Sequence, residues 1–333
     1  MTRIFTDGAE MQDTVFWDYK NGTITAATSS PTPLHGNAYY KISGFSQCAR
    51  YFDNISECYF RQRLYVAGLD NNRFIEFRNG TEQLAYINYD GSLHFMFYAT
   101  SWKATSSFIF LLNTWYLFEV YFKLSDSGNC ILKIDGTEVI NYSGDTKPSG
   151  TTTFNNIYIY NSNSATSGHD DLALNDTGGG TDNSWCGDGR IIRLAPSGSS
   201  ATANDWLNSG SVSGSANYLY VDEYPANSTD YVYASASSTG LQTQFALSNP
   251  VLPSGATVTR IYSEARALKT SSNVYGLKLG ELAEGGTDVV SGSRTLYMGS
   301  FTRVVGDEAK VNPVTSLAWT AADLDNLELI LEI

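Results

Sequence analysis

Hydrophobic and polar residues alternate along residues 58–66, whose sequence is CYFRQRLYV. One side collects Cys58, Phe60, Leu64 and Val66, and the other collects Tyr59, Arg61, Arg63 and Tyr65. Successive side chains of a β-strand point to opposite faces, so this period of two predicts a half-buried strand. We expect the first set to face the core.

The same pattern continues through residues 115–142, with turn signals between the apolar runs. One face of the first run is lined by Tyr116, Phe118, Val120, Phe122 and Leu124. Reversals are marked by Asn79-Gly80, Asp90-Gly91 and Asp135-Gly136, because such dipeptides tolerate the positive φ angles of tight hairpins. Almost no helical periodicity is present, so the pattern predicts an antiparallel all-β chain.

The second half also favours strands, with alternation in residues 257–269 and in LELILEI, residues 327–333. Thr320 and Asp323 have the spacing of a helix N-cap and its acidic partner, which predicts a helix of a turn or two. A Ser-rich connection follows RIIRLAP, residues 190–196, which we interpret as a strand. We therefore predict one domain over residues 1–198 and a smaller β-sandwich domain over residues 199–333.

Composition and charge restrict the function. The chain of 333 residues carries 21 Lys and Arg against 34 Asp and Glu, for a formal net charge of −13. An acidic surface repels phosphates, which argues against nucleic acid and anionic membranes as partners. No apolar run approaches the ~20 residues that span a bilayer, and the start lacks the apolar region of a signal peptide. We therefore expect synthesis in a cytoplasm.

The segment HDDLALND, residues 169–176, concentrates acidic and imidazole groups. Regular alternation would turn Asp171 one way and Asp170 and Asp176 the other, which predicts a structural strand rather than a site. Calcium bound by Asp170, Asp171 and nearby carbonyl oxygens at the strand end is the alternative. A chelator-reversible rise in melting temperature with calcium would favour that alternative over the predicted absence of a metal or other cofactor.

Catalytic arrangements are not evident in the sequence. Glycosidases need two carboxylates facing one groove, and no such pair with alternate spacing occurs on a predicted strand. The histidines are His35, His94 and His169, and none has a partner pattern typical of nucleophilic catalysis. The sequence therefore predicts that the chain is not an enzyme, with no catalytic or metal-ligating residue assigned and the ligand-binding residues unknown.

The aromatic residues and the cysteines each allow more than one interpretation. Tyr59, Tyr65, Tyr121, Trp102 and Trp115 fit packing and subunit contacts, and they equally fit stacking on sugar rings. Cys48, Cys58, Cys130 and Cys186 have spacings too wide for a zinc ribbon, and buried thiols are expected. A disulfide between Cys48 and Cys58 is left open.

A resemblance adds to this picture. FTDGAE followed by FWDY, the meander NTWYLFEVYFKLSDSGNCILKIDGTEV, HDDLALND and CGDGRIIRLAPSG together resemble concanavalin A-like (laminin G-like) jelly-roll proteins of tailed-bacteriophage virions. The trailing NYLYVDEYPANSTDYVYAS and NPVTSLAWTAADLDNLELILEI are similar to the same class. The resemblance implies a jelly-roll sandwich followed by a smaller β domain, displayed on a phage particle.

The predicted function is thus a non-enzymatic structural protein of a phage virion, displayed on the tail or capsid. It would act by contact with other virion proteins and form a homo-oligomer in the particle. The alternative is a carbohydrate-binding module for host recognition, as in a tail fibre, with a host-surface glycan as partner.

Overall fold

The computed structural model describes residues 3–68, 73–211, 216–234, 239–272, 276–282 and 289–333. Its contacts divide the chain into two compact units, Met1–Ile192 and Arg193–Ile333. Within the described ranges, no helix has the length and apolar character needed to cross a membrane.

The first unit is made of β-strands. In chain order these are β1 Arg3–Asp7, β2 Tyr19–Ala27, β3 Tyr39–Ile55, β4 Glu57–Val66, β5 Arg73–Asn79, β6 Glu82–Tyr89, β7 His94–Ala99, β8 Ser101–Ile109, β9 Trp115–Lys123, β10 Gly128–Ile134, β11 Thr137–Gly144 and β12 Phe154–Asp176. All pairings between them are antiparallel. The all-β prediction is confirmed.

The long strand β12 joins two layers. Its first part lies between β3 and β5, and the series continues outward through β6, β7 and β8, with β2 beyond β3. We call this layer sheet I. The second part of β12 pairs with β1 and β4, and β9, β10 and β11 follow as sheet II. The two layers form the predicted jelly-roll-like sandwich.

Aromatic side chains fill the space between the layers. Phe77 of sheet I stacks on Phe122 of sheet II with ring centroids 4.4 Å apart, and Phe95 lies 5.8 Å from Phe118. The inward faces predicted for β4 and β9 are confirmed, because their apolar members join this core. Side chains alternate along a strand, so the neighbours of each core residue point away from the core. The core therefore determines which side chains lie on the outer face of sheet I.

The second unit has smaller sheets. Its elements are β13 Pro196–Asn204, β14 Leu207–Asn208, a 3-10 helix Asn217–Tyr220, β15 Val232–Tyr233, β16 Gln242–Leu247, β17 Glu264–Ala267, β18 Lys278–Leu282, β19 Val289–Val290, β20 Thr302–Val305, α1 Ala321–Leu324 and β21 Glu328–Glu332. A five-stranded sheet has the order β13-β16-β21-β18-β19, and β14-β15 and β17-β20 form pairs.

Local predictions for the second half have mixed outcomes. The capping box of Thr320 and Asp323 is present, and the C-terminal strand β21 is paired on both sides, as expected. The strand predicted over residues 190–196 is wrong, because residues 190–195 have no regular structure. The first strand after this segment, β13, begins at Pro196 and pairs with β16. It therefore belongs to the second unit.

Candidate functional site

A row of facing residues crosses the outer face of sheet I. Residues paired directly across antiparallel strands share one face of the sheet, and seven strands contribute to this row. In spatial order from β2 to β8 its members are Tyr19, Ala49, Tyr158, Glu76, Tyr86, Tyr98 and Trp102. We call it the aromatic row. Six strand spacings of ~4.8 Å give it a length of about 29 Å.

A charged centre lies in the middle of the row. The Glu76 carboxylate is fully buried, and Arg78 Nε donates a hydrogen bond to its Oε1 at 2.7 Å. Arg73 Nη1 lies 3.4 Å from Glu76 Oε2 and donates to Gln83 Oε1 at 2.8 Å. Two guanidinium groups thus surround one carboxylate, and one positive charge is left in excess. The Arg73 side chain is 34% exposed, so part of this charge reaches solvent.

A β-bulge explains how Arg73 joins this face. Residues three apart on a regular strand point to opposite sides, so Arg73 and Glu76 would be separated. The register between β5 and β6 shifts between Arg73 and Ile75, which turns Arg73 to the side of Glu76 and Arg78. The centre therefore depends on a local irregularity that alternation does not predict.

Tyrosine rings hold the guanidinium groups in place. Arg73 Cζ lies 4.3 Å from the centroid of Tyr86 and 5.9 Å from that of Tyr160. Arg78 Cζ lies 4.0 Å from the centroid of Tyr158. Contacts of this kind between a cation and a ring face are attractive and restrict the side chain.

Electrostatics separate the roles of these groups. Burial alone would lower the pKa of Arg78, but its hydrogen bond and charge interaction with Glu76 raise it, so Arg78 stays charged. Burial, together with a hydrogen bond to Tyr51, raises the pKa of Tyr158 to about 12. Tyr158 therefore keeps its proton at neutral pH and can donate it.

Three amide oxygens beside the centre lack a hydrogen-bond donor. Gln47, Asn88 and Asn156 lie two positions from row members, on the same face of their strands. Each has a buried side-chain oxygen that meets no donor in the structure. Buried polar atoms are nearly always satisfied in native proteins, so these three oxygens are unusual among the polar atoms of this face.

The segment HDDLALND does not alternate as predicted. Asp171 has a φ of 49°, and the register against β4 shifts between Asp170 and Ala173. Asp170 consequently faces Arg63 while Asp176 faces Cys58, so the two lie on opposite sides of the sheet. The expectation that they share a face is wrong, because one bulge reverses the side on which Asp170 lies.

The histidines have structural partners. His169 lies in the core, where its Nδ1 donates to Gln62 Oε1 at 2.8 Å and its Nε2 accepts from Ser167 Oγ at 2.8 Å. Burial lowers its pKa to about 3, so the ring is neutral. His35 Nδ1 lies 2.6 Å from Asp171 Oδ2, and His94 Nδ1 lies 3.3 Å from Asp90 Oδ2.

Buried carboxylates gather near one end of β12. Glu10 accepts from the backbone of residues 37 and 38, Asp7 accepts from Ala9 N and Tyr40, and Asp171 accepts from Ile191 N. Asp170 is 1% exposed, and its Oδ2 has no hydrogen-bond partner. Burial, then the charges of Asp171, Glu10 and Asp7, raise the pKa of Asp170 to about 9. Within the described residues, no three carboxylate, imidazole or thiol groups form a ready-made metal site.

The aromatic residues singled out in the sequence fall on different surfaces. Tyr59 stacks on Tyr121 at 4.7 Å and Tyr65 lies 5.4 Å from Trp115, all on sheet II. Trp102 alone of that set belongs to the aromatic row of sheet I. No pattern in the sequence indicated the charged centre, although the segment RFIEFR, residues 73–78, contains all three charged residues.

The cysteines are thiols, as expected. Cys48, Cys58 and Cys130 are buried, and Cys186 is partly buried. The disulfide left open between Cys48 and Cys58 is not formed.

Comparisons with known proteins give only distant structural similarity. No family model matches the chain, and no curated protein does. The cellulose-induced protein Cip1 matches with a TM-score of 0.43 and 13% identity, over 56% of this chain and 100% of that one. An endo-beta-1,4-glucuronan lyase from the fungus Trichoderma reesei matches with 0.43 and 12%, over 52% and 95%. A Trypanosoma rangeli sialidase matches with 0.35 and 11%, over 48% and 29%.

The prediction of a non-enzymatic phage virion protein is therefore wrong. Two of these three similar structures are named as a lyase and a sialidase, and none of the three is named as a phage protein. The tail-fibre alternative has no support from them either. The prediction relied on the absence of two carboxylates facing one groove, and that absence concerns glycoside hydrolysis and does not exclude other catalytic chemistry. At TM-scores of 0.43 and below, these matches carry no activity or residue role to this chain. The predicted location and oligomeric state stay predictions.

Proposed function

We propose that the chain binds an acidic polysaccharide along the aromatic row and cleaves it at the charged centre. The observation that carries the proposal is the excess guanidinium charge of Arg73 and Arg78 in the middle of a row of rings. A guanidinium binds a carboxylate through paired hydrogen bonds, and flat rings accept the apolar faces of sugars.

The centre favours elimination over hydrolysis. Hydrolysis by the usual route requires two carboxylates, whereas Glu76 is the carboxylate of the row and is held by two ion pairs. Elimination requires a cation on the sugar carboxylate, a group that takes the proton from the adjacent carbon, and an acid for the leaving oxygen. Arg73, Tyr160 and Tyr158 supply these three groups in turn.

A base takes the proton from the carbon next to the sugar carboxylate while Arg73 stabilises the charge that develops on that carboxylate. Tyr160, whose ring centroid lies 5.9 Å from Arg73 Cζ, is the group that we propose as this base. The freed electron pair forms a carbon–carbon double bond, and the neighbouring bond to the glycosidic oxygen breaks. Tyr158 gives its proton to the departing oxygen, a role suited to its raised pKa.

Product detection tests this function. Incubation with uronate-containing polysaccharides is expected to yield products with the ultraviolet absorbance of an unsaturated sugar, and neutral polysaccharides are expected to yield none. Replacing Tyr158→Phe should lower the rate by about 10²–10⁴-fold because the proton donor is lost. Tyr121→Phe, on sheet II, is the matched control and should leave the rate unchanged.

Three outcomes would contradict parts of the proposal. New reducing ends without the absorbance would mean hydrolysis. Binding without any product would remove the cleavage step, and an absence of binding to every acidic polymer would remove the function altogether.

We also propose a calcium ion at Asp170. The unpartnered Oδ2 of this buried carboxylate is the supporting observation, and oxygen atoms are the ligands that calcium prefers. The oxygens of Glu10, Asp7 and Asp171 already have partners, so Asp170 would be the ligand around which others rearrange. A calcium ion there would stabilise the folded protein and would take no part in the cleavage steps.

Finer features of the fold belong with these proposals. We propose that the first unit is of the concanavalin A-like type and that the second unit is a smaller β-sandwich. Support for the latter comes from one shared core, in which Phe245, Leu279 and Leu331 of the five-stranded sheet contact the β17-β20 pair around Val304.

A further inference from the structure

Trp102 stands at the β8 end of the aromatic row. Its side chain is 50% exposed, although it is one of the largest apolar groups in the chain. Tyr98 and Tyr86 meet it edge-on, with centroids 5.2 Å and 5.9 Å away, and they stack on each other at 4.6 Å. The indole is therefore held in place on one side and open to solvent on the other.

The hairpin between β7 and β8 fixes this placement. Ala99 pairs with Ser101, and Thr100 between them has a φ of 59°. Tyr98 Oη donates to Thr100 O at 3.0 Å, which ties the ring below Trp102 to the turn. An ordered ring loses little further freedom when a ligand binds to it, which favours binding.

Distance sets what can reach Trp102. Arg73 Cζ lies 4.3 Å from the ring centroid of Tyr86, which lies 5.9 Å from that of Trp102, so the indole is at most about 10 Å from Arg73 Cζ. A sugar bound through its carboxylate at Arg73 occupies most of that distance, and the next ring of a polymer reaches the indole. Trp102 is the exposed ring at this position, because Tyr86 is 7% exposed and packs between Arg73 and Tyr98.

We propose that Trp102 is a separate sugar-binding position, which stacks on the apolar face of a different ring of the polymer from the one held at Arg73. This inference rests on the proposed function and adds that the binding affinity depends on the length of the polymer. The polymer then crosses the strands of sheet I along the row, with its carboxylate at the centre and an apolar ring face on the indole. Long chains bind more tightly than short ones for this reason.

Calorimetry with acidic ligands of two lengths tests this position. In the full chain, Trp102→Ala should weaken binding of a long oligosaccharide about tenfold and leave binding of a single uronate sugar unchanged. Trp102→Phe keeps a ring and should recover most of the loss. Ile109→Ala is the matched control, since Ile109 is 56% exposed on the same strand but lies outside the row.

The outcomes separate the two proposals. Equal weakening of long and short ligands would mean that Trp102 acts through the structure of the centre, and unchanged binding of the long ligand would mean that the indole touches no sugar. Either result overturns the inference while the binding of wild-type protein still supports the proposed function. Failure of wild-type protein to bind either ligand overturns both.

Discussion

Replacing Arg73→Ala should weaken binding of an acidic polysaccharide by about tenfold to a hundredfold. A hydrogen bond to a charged group contributes about 1.5–3 kcal/mol, and each 1.4 kcal/mol is a tenfold change in affinity. Arg73 is the more exposed of the two guanidinium groups, 34% against 18% for Arg78, so it meets the ligand first. Binding should also weaken as salt rises, because salt screens exposed charges.

Two further variants make this experiment specific. Arg73→Lys keeps the charge but loses the planar pair of donors, so an intermediate loss is expected. Arg294→Ala is the matched control, because Arg294 is 39% exposed and paired with Asp307 in the second unit. Equal affinities of Arg73→Ala and wild-type protein, measured by calorimetry in the same buffer, would show that the charged centre does not hold the ligand.

Calcium should raise the melting temperature of the protein, and a chelator should reverse the rise. A ligand at a hundred times its dissociation constant stabilises the folded state by about 2.7 kcal/mol. For a unit of this size that corresponds to a rise of roughly 5–10 °C. Asp170→Asn should abolish the response, whereas Asp126→Asn, at a surface carboxylate paired with Lys147, should retain it. Calorimetric melting curves measure both.

The pH dependence has a defined sign. Without metal, the pKa of Asp170 is about 9 in the folded chain and about 4 when unfolded, so the folded state holds the extra proton. This term makes the metal-free protein less stable as the pH rises from about 4 to about 9. Calcium displaces that proton, so the stabilisation by calcium should grow over the same range. A rise in melting temperature that stays constant with pH, or no rise at all, would contradict the calcium proposal.

The sequence predicted the strands whose periodicity is regular. Alternation in residues 58–66 and 115–124 placed Phe60 and Phe118 in the core, and the same logic identified the C-terminal strand and the Thr320 cap. These features depend on neighbours within a few residues. Local patterns are therefore sufficient for them.

The candidate site could not be predicted in this way. Tyr158 and Glu76 face each other across strands more than eighty residues apart in sequence, and such a register is set by the whole sheet. Arg73 reaches the centre only through a bulge, and Asp170 changes sides only through the irregularity at Asp171. A pair of carboxylates on one strand is a pattern for glycoside hydrolysis, and it does not predict a centre of two arginines and one glutamate.

The structure of the protein bound to an uncleaved acidic oligosaccharide tests the central claim most directly, with Tyr158→Phe used to prevent cleavage. We expect the ligand to cross the strands of sheet I, with a sugar carboxylate on Arg73 and another ring against Trp102. A ligand bound over sheet II or in the second unit, with the aromatic row left bare, would contradict the account.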